Sequence, residues 1–265
     1  MTCLKIAYHS PRLKGGADTN IPYAFPYSSA NVHSGYPYIR TQFQGNTNQI
    51  TFDFDVGVVG HDSSYLLINR VDELIALGVN GVSLQYSTDQ IGFVNVITVN
   101  PSTITAIGNN RDVYIEEFTK TGFFQYWRVV YDFSANVVDP SLPSFLFGNL
   151  FQFDFEVSDV DEVRAQRTRE SFVSESGQYF VNRVAEKSIR QRITWRGITD
   201  QQSREFRDLV YSTYNLPRSV WLYSDNNHHL LSDYQLVNYE LSNLRIQKRA
   251  INWNNITADF TELIG

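Results

Sequence analysis

The stretch from Ser144 to Val157 constrains the fold more than any other. Phe145, Phe147, Phe151, Phe153, Phe155 and Val157 all fall on one parity of position. Successive side chains of a strand point to opposite faces, so these residues line one face of an extended chain. A row of aromatic and β-branched side chains this long buries against something large. Other stretches repeat the period of two. Thr51–Val56 sets Phe52, Phe54 and Val56 against Thr51, Asp53 and Asp55, and Val82–Ser87 sets Val82, Leu84 and Tyr86 inward. From Phe123 to Phe133, Phe123, Trp127, Val129, Tyr131 and Phe133 share a face while Arg128 and Asp132 point away.

Turn signals separate these runs: Val79-Asn80-Gly81, Ser87-Thr88-Asp89, Ile107-Gly108-Asn109-Asn110 and Asp139-Pro140. Short strands with turns about every ten residues predict an all-β sandwich or barrel. No strong helical stretch precedes residue 160, so a βαβ arrangement is not expected. The segment 158–188 changes character. Ser158-Asp159-Val160-Asp161-Glu162 is acidic, Arg164, Arg167 and Arg169 follow, and the whole reads as a boundary or an extended connector. Ile189–Arg196 alternates again, with Ile189, Ile193 and Trp195 inward and Arg190, Arg192 and Arg196 outward.

One helix is well signalled. Thr199 followed three residues later by Gln202 has the spelling of a capping box, and Phe206, Leu209, Val210 and Thr213 follow at helical spacing. Asn215 and Pro217 end it. Strands are expected at Ser219–Tyr223, Tyr234–Leu241 and Asn255–Leu263. The expected fold class is mainly β: a β-sandwich over residues 1–157, then a second β-domain over 158–265 carrying one helix at about 199–214.

A chain of 265 residues, 42% hydrophobic and 14% aromatic, has material for two cores and does not match a disordered composition. Its net charge of -6 does not favour nonspecific nucleic-acid binding. No apolar run approaches the length of a membrane helix. The start, MTCLKIAYHSPRLKGG, shows no signal-peptide pattern, so synthesis in the cytoplasm is expected. Asn255-Ile256-Thr257 spells a glycosylation acceptor and is discounted for the same reason. One cysteine, Cys3, excludes an intrachain disulfide framework.

Catalytic motifs are absent: there is no GxSxG, HExxH, Walker loop or GxGxxG. His228-His229, near Asp225 and Asp233, lacks the one-face spacing of metal-binding pairs and reads as a polar hairpin loop. Asp53 and Asp55 share a strand face and could imitate a carboxylate pair, but they read as the solvent side of an amphipathic strand. Glu116-Glu117 points to both faces of a strand, and Cys3 has no activating neighbour. No cofactor and no metal are expected. The row Arg190, Arg192 and Arg196 is a candidate partner or subunit interface. Tyr36 and Tyr38, in Ser34-Gly35-Tyr36-Pro37-Tyr38, are candidates for stacking on a sugar.

The order of the first pieces resembles a known family. Ala30-Asn31-Val32, Tyr38-Ile39-Arg40-Thr41 and Asn48–Phe54 look like the opening of a galactose-binding-like (discoidin-type) jelly roll. Leu66–Arg70 and Val82–Asp89 resemble its middle strands, Phe124–Val130 its late strand, and Ser144–Gly148 its closing strand. The resemblance covers about residues 25–157. It implies a jelly-roll sandwich that can bind ligands through loops at one end.

The later pieces resemble tail-tip proteins of tailed bacteriophages, the distal-tail family among them. They are the Trp-bearing strand Ile193–Arg196, the capped helix Thr199–Tyr214, a Pro-containing loop, Trp221–Asp225 and the terminal strands. That resemblance implies a structural component of a phage tail tip or baseplate. Its partners would be other copies in a homo-oligomeric ring, the tail tube and hub proteins, and a host surface glycan on the jelly roll. Neither nucleic acid nor membrane insertion is implied, and the location would be the virion. A stand-alone carbohydrate-binding protein is the alternative reading, and a glycan-degrading enzyme is the second alternative.

Overall fold

The structure, a computed structural model, describes residues 4–9, 18–22, 40–104, 113–154, 157–165, 170–173, 179–182, 188–211, 219–224, 235–239 and 244–262. It is mainly β. The chain divides into two compact units, one formed by 5–152 with 220–235, the other by 1–4, 153–219 and 236–265.

The first unit contains β1 (Leu4–His9), β2 (Asp18–Thr19), β3 (Arg40–Gln42), β4 (Asn46–Asp55), β5 (Tyr65–Asn69), α1 (Val71–Ala76), β6 (Val79–Ser87), β7 (Val94–Val99), β8 (Val113–Glu117), β9 (Tyr126–Val138), β10 (Ser141–Pro143) and β11 (Phe145–Gln152). One antiparallel sheet has the order β2-β4-β9-β6-β7, the other β1-β11-β5-β8. The chain crosses between the sheets after β1, β4, β5, β7, β8 and β9, which winds the sandwich as a jelly roll. The inward rows meet between the sheets. Phe52 and Phe54 of β4 and Tyr131 of β9 surround Phe145 of β11, with centroids 5.2, 6.1 and 6.0 Å away. Phe147 packs on Phe54 and Trp127 at 5.4 Å each.

Two expectations change here. The Phe123–Phe133 run is not one strand: β9 begins at Tyr126, and Phe123 is exposed in the preceding loop. The short α1 was invisible to pattern. It has only two buried residues, Val71 and Leu74, and no side-chain cap, since the guanidinium of Arg70 at its N-cap has no acceptor. Its first turn is tied instead by Arg70 and Arg40, both paired to Glu73.

The second unit contains β12 (Val157–Ala165), β13 (Glu170–Val173), β14 (Tyr179–Asn182), β15 (Ser188–Thr199), α2 (Asp200–Tyr211), β17 (Gln235–Tyr239), β18 (Arg245–Ala250) and β19 (Trp253–Glu262). The intervening strand, β16 (Ser219–Ser224), lies beside β1 in the first unit's sheet. β12 pairs with β15 and β15 with β19, while β17 and β18 take opposite ends of the far side of β19. The segment read as a connector therefore holds β12 and the β13–β14 hairpin. Its acidic residues belong to a strand whose exposed face carries Asp159 and Asp161.

The Ser144–Val157 row splits between the units. Phe145 and Phe147 fill the sandwich, whereas Phe153 lies 4.7 Å from Trp195 and 5.2 Å from Phe206 in the other core. Thr199 caps α2, accepting the Gln202 N–H at 3.2 Å, but Gln202 Oε1 takes no hydrogen bond among the described residues, so only half of the box forms; Asn254 donates to Asp200 at 2.6 Å. Ser203, Phe206 and Leu209 form its buried stripe.

Candidate functional site

Three loops meet at one end of the sandwich: 56–64 between β4 and β5, 88–93 between β6 and β7, and 118–125 between β8 and β9. The first and third are sewn together by backbone. Val56 N–H donates to Gln125 O at 2.9 Å, and His61 and Phe124 exchange both of their main-chain bonds at 2.9 and 3.0 Å. Gly60 makes this approach feasible. It sits at φ +72, and a Cβ there would meet the Phe123 and Phe124 backbone at 3.1 Å. Asp55 Oδ1 accepts from Gly57 N–H at 2.9 Å and from Gln125 Nε2 at 3.1 Å.

The 88–93 loop is held by its own carboxylate. Asp89 Oδ1 accepts from the Ile91 and Gly92 N–H groups at 3.0 Å each and from the Ser87 hydroxyl at 2.8 Å. The Gly92 and Ile91 bonds, with Ser87, hold its pKa down to about 2. Tyr86, at the root of this loop, stacks on Phe124 at 3.6 Å and 14°, and Phe93 lies 3.8 Å beneath the Arg128 guanidinium. Arg128 is also bidentate to Asp53, at 2.5 and 2.9 Å.

Beneath the loops, Asp62 accepts from Lys120 Nζ and Asn149 Nδ2 at 2.7 Å each. Burial pushes its carboxyl up, but the bonds from Lys120 and Asn149 and the charges of Lys120 and His61 outweigh it and lower its pKa. His61 packs between Trp127 and Phe147, at 6.1 and 6.3 Å. Above this scaffold the loops present apolar side chains to solvent: Val58 is 91% exposed, Ile91 87% and Phe123 68%. Fixed loops with an outward aromatic ring can stack on one face of a sugar.

The sequence candidates fall as follows. Asp53 is committed to Arg128, and Asp55 to Gly57 and Gln125, so neither is free to act as one of a catalytic pair. Arg190 and Arg192 lie in β15 opposite Thr261 and Asp259. Arg192 is bidentate to Asp259 at 2.8 and 3.1 Å, which raises its pKa further, and Arg196 is exposed. Tyr36, Tyr38, Cys3 and His228-His229 lie outside the described residues. Among the described residues no group of three or more His, Cys, Asp or Glu is placed to hold a metal ion, and no helix is long and apolar enough to cross a membrane. The resemblance implies ligand loops at one end without naming their residues, and Phe123-Phe124 after Gly122 shares the parity of the strand that follows, so pattern does not set it apart as a loop.

No protein-family model matches the chain, and no curated protein matches it. Solved structures resemble about half of it. Chitosan-binding module 1 of a chitosanase/glucanase from Paenibacillus sp. IK-5 is 14% identical over 54% of this chain and 100% of its own, with TM-score 0.40. A Clostridium perfringens module solved in complex with GalNAc-beta-1,3-galactose is 9% identical over 54% and 100%, with TM-score 0.39. CBM32-1 from a family 31 glycoside hydrolase of Clostridium perfringens is 11% identical over 52% and 98%, with TM-score 0.35. At these scores the sandwich is defined by its own strand order, and the likeness adds nothing to it.

Proposed function

We propose that the chain is a non-catalytic glycan-binding protein whose jelly-roll unit takes a sugar at the end formed by the 56–64, 88–93 and 118–125 loops. The observation that carries this is the Phe123 ring, 68% exposed on a loop clamped to its neighbour by main-chain bonds. A ring held outward in this way loses little entropy on stacking. Gln125, two residues on, has its amide bonded to Asp55 Oδ1, which ties this loop to the end of β4. The carboxylates of this end are engaged in structural bonds, which favours binding over hydrolysis.

A glycan array followed by calorimetry on the full chain tests this. Phe123→Ala should lower the affinity for any bound glycan by roughly tenfold, the worth of one stacked ring. Undiminished binding by that variant refutes the site. A second reading, a structural part of a phage tail tip assembled through the part after residue 157 and carried in the virion, draws support from the sheet edges of the second unit. Its partners would be sister copies, tail tube and hub. Presence of the chain in purified virions, together with an oligomer in solution, tests it. The two readings combine if the jelly roll touches a host glycan.

A further inference from the structure

Two strands of the second unit carry opposite charge and leave one side unpaired among the described residues: β12, which ends the sheet, and β18, which branches from β19 beside β17. β12 pairs with β15 on one side, β18 pairs with β19 on one side, and among the described residues neither has a strand on its other side. The outer donors and acceptors of an edge strand are a template for another strand. β12 carries Asp159, Asp161 and Glu162, with Arg164 its only base, whereas β18 carries Arg245, Lys248 and Arg249 and no acid. Asp159, Asp161, Arg245, Lys248 and Arg249 are exposed. Ile246 and Ile251 are exposed on the β18 side as well, an apolar edge of the kind that proteins normally cover.

The strands β12, β15, β19 and β18 alternate in direction, so the two edges run oppositely. A copy related by rotation therefore offers its β12 antiparallel to β18. Faces decide the register, because a slip of one residue exchanges them. Asp161 is opposite Arg192 and Val160 opposite buried Ile193, while Arg245 is opposite Thr257 and Ile246 opposite buried Ile256. The faces stay continuous when Arg245 meets Asp161, Ile246 meets Val160 and Gln247 meets Asp159 of the next copy. Opposite charges facing each other on one face then stabilise the pair.

We propose that β18 of one copy adds to β12 of the next, joining copies head to tail through a continuous antiparallel sheet. Such a heterologous contact closes into a ring or extends as a filament. The inference rests on the assembly reading above and supplies its contact surfaces; the glycan reading stands apart from it.

The test is self-association of the full chain, measured by light scattering and mass photometry over a concentration series. Arg245→Glu with Arg249→Glu gives a copy with two acidic edges, and Asp159→Lys with Asp161→Lys gives one with two basic edges. Each alone should associate roughly tenfold or more weakly, since like charges then face each other. An equal mixture of the two should recover assembly, because every junction again pairs opposite signs. Raising salt from about 50 to about 500 mM should weaken the wild-type assembly. Should a double variant lose its far-ultraviolet dichroism, Arg245→Gln and the salt series decide instead. Assembly indifferent to charge reversal, to Arg245→Gln and to salt overturns the edge pairing and leaves the assembly reading in place. A monomer at every concentration overturns both.

Discussion

Phe145→Ala tests what joins the two sheets of the sandwich. The ring is fully buried and is met by Phe52, Phe54 and Tyr131 from the opposite sheet at 5.2, 6.1 and 6.0 Å. Truncating a buried phenylalanine costs about 3–5 kcal/mol, transfer and cavity together. Aromatic pairs add roughly 0.5–1.5 kcal/mol each beyond area, so three such contacts put the cost near the upper end, at about 4–5 kcal/mol. At about 2–4 °C per kcal/mol for a unit of this size, the melting temperature of the sandwich should fall by roughly 10–20 °C. Phe145→Leu keeps most of the volume and should lose less than about 2 kcal/mol. Native-state hydrogen exchange is the assay, because it separates β4, β9 and β11 from the strands of the second unit. A loss below about 1 kcal/mol for Phe145→Ala, with m unchanged in denaturant, would refute the packing described here.

Two further outcomes follow from the loop end. Gly60→Ala should cost about 1–3 kcal/mol, since φ +72 and the Phe123 and Phe124 backbone at 3.1 Å both oppose a methyl group; a neutral result in thermal melts contradicts the crossing of the loops. Asp62→Asn should cost roughly 1–3 kcal/mol at neutral pH by weakening the bond from Lys120. The folded pKa of Asp62 is lowered, so its contribution is complete above about pH 4 and is lost as pH falls through the folded value. The wild-type acid limb should therefore be steeper than that of the variant, and parallel limbs would remove the argument.

Much of the sandwich was legible because half-buried strands write their burial into every second residue. β4 alternates Ile50, Phe52 and Phe54 against Thr51, Asp53 and Asp55, and the structure buries the first set. The capped start of α2 was equally plain in Thr199 and Gln202. Parity failed where the chain changes partners without changing period. Phe147 and Phe153 share a parity yet enter different cores, and Phe123 shares one with Trp127 yet sits in a loop. The two oppositely charged strands of the second unit were hidden for another reason. Asp159, Asp161 and Glu162 stand far from Arg245, Lys248 and Arg249 in sequence, and only the strand pairing sets them on strands with one unpaired side among the described residues. The loop end was illegible because its geometry comes from Gly60 passing the Phe123–Phe124 backbone, a tertiary contact that no local pattern encodes.

Hydrogen exchange of the full chain with and without a glycan found on the array measures the main proposal most directly. Slower exchange at 56–64, 88–93 and 118–125, abolished by Phe123→Ala, is the predicted result. Protection confined to the segment holding Tyr36 and Tyr38, or to the second unit, would contradict it.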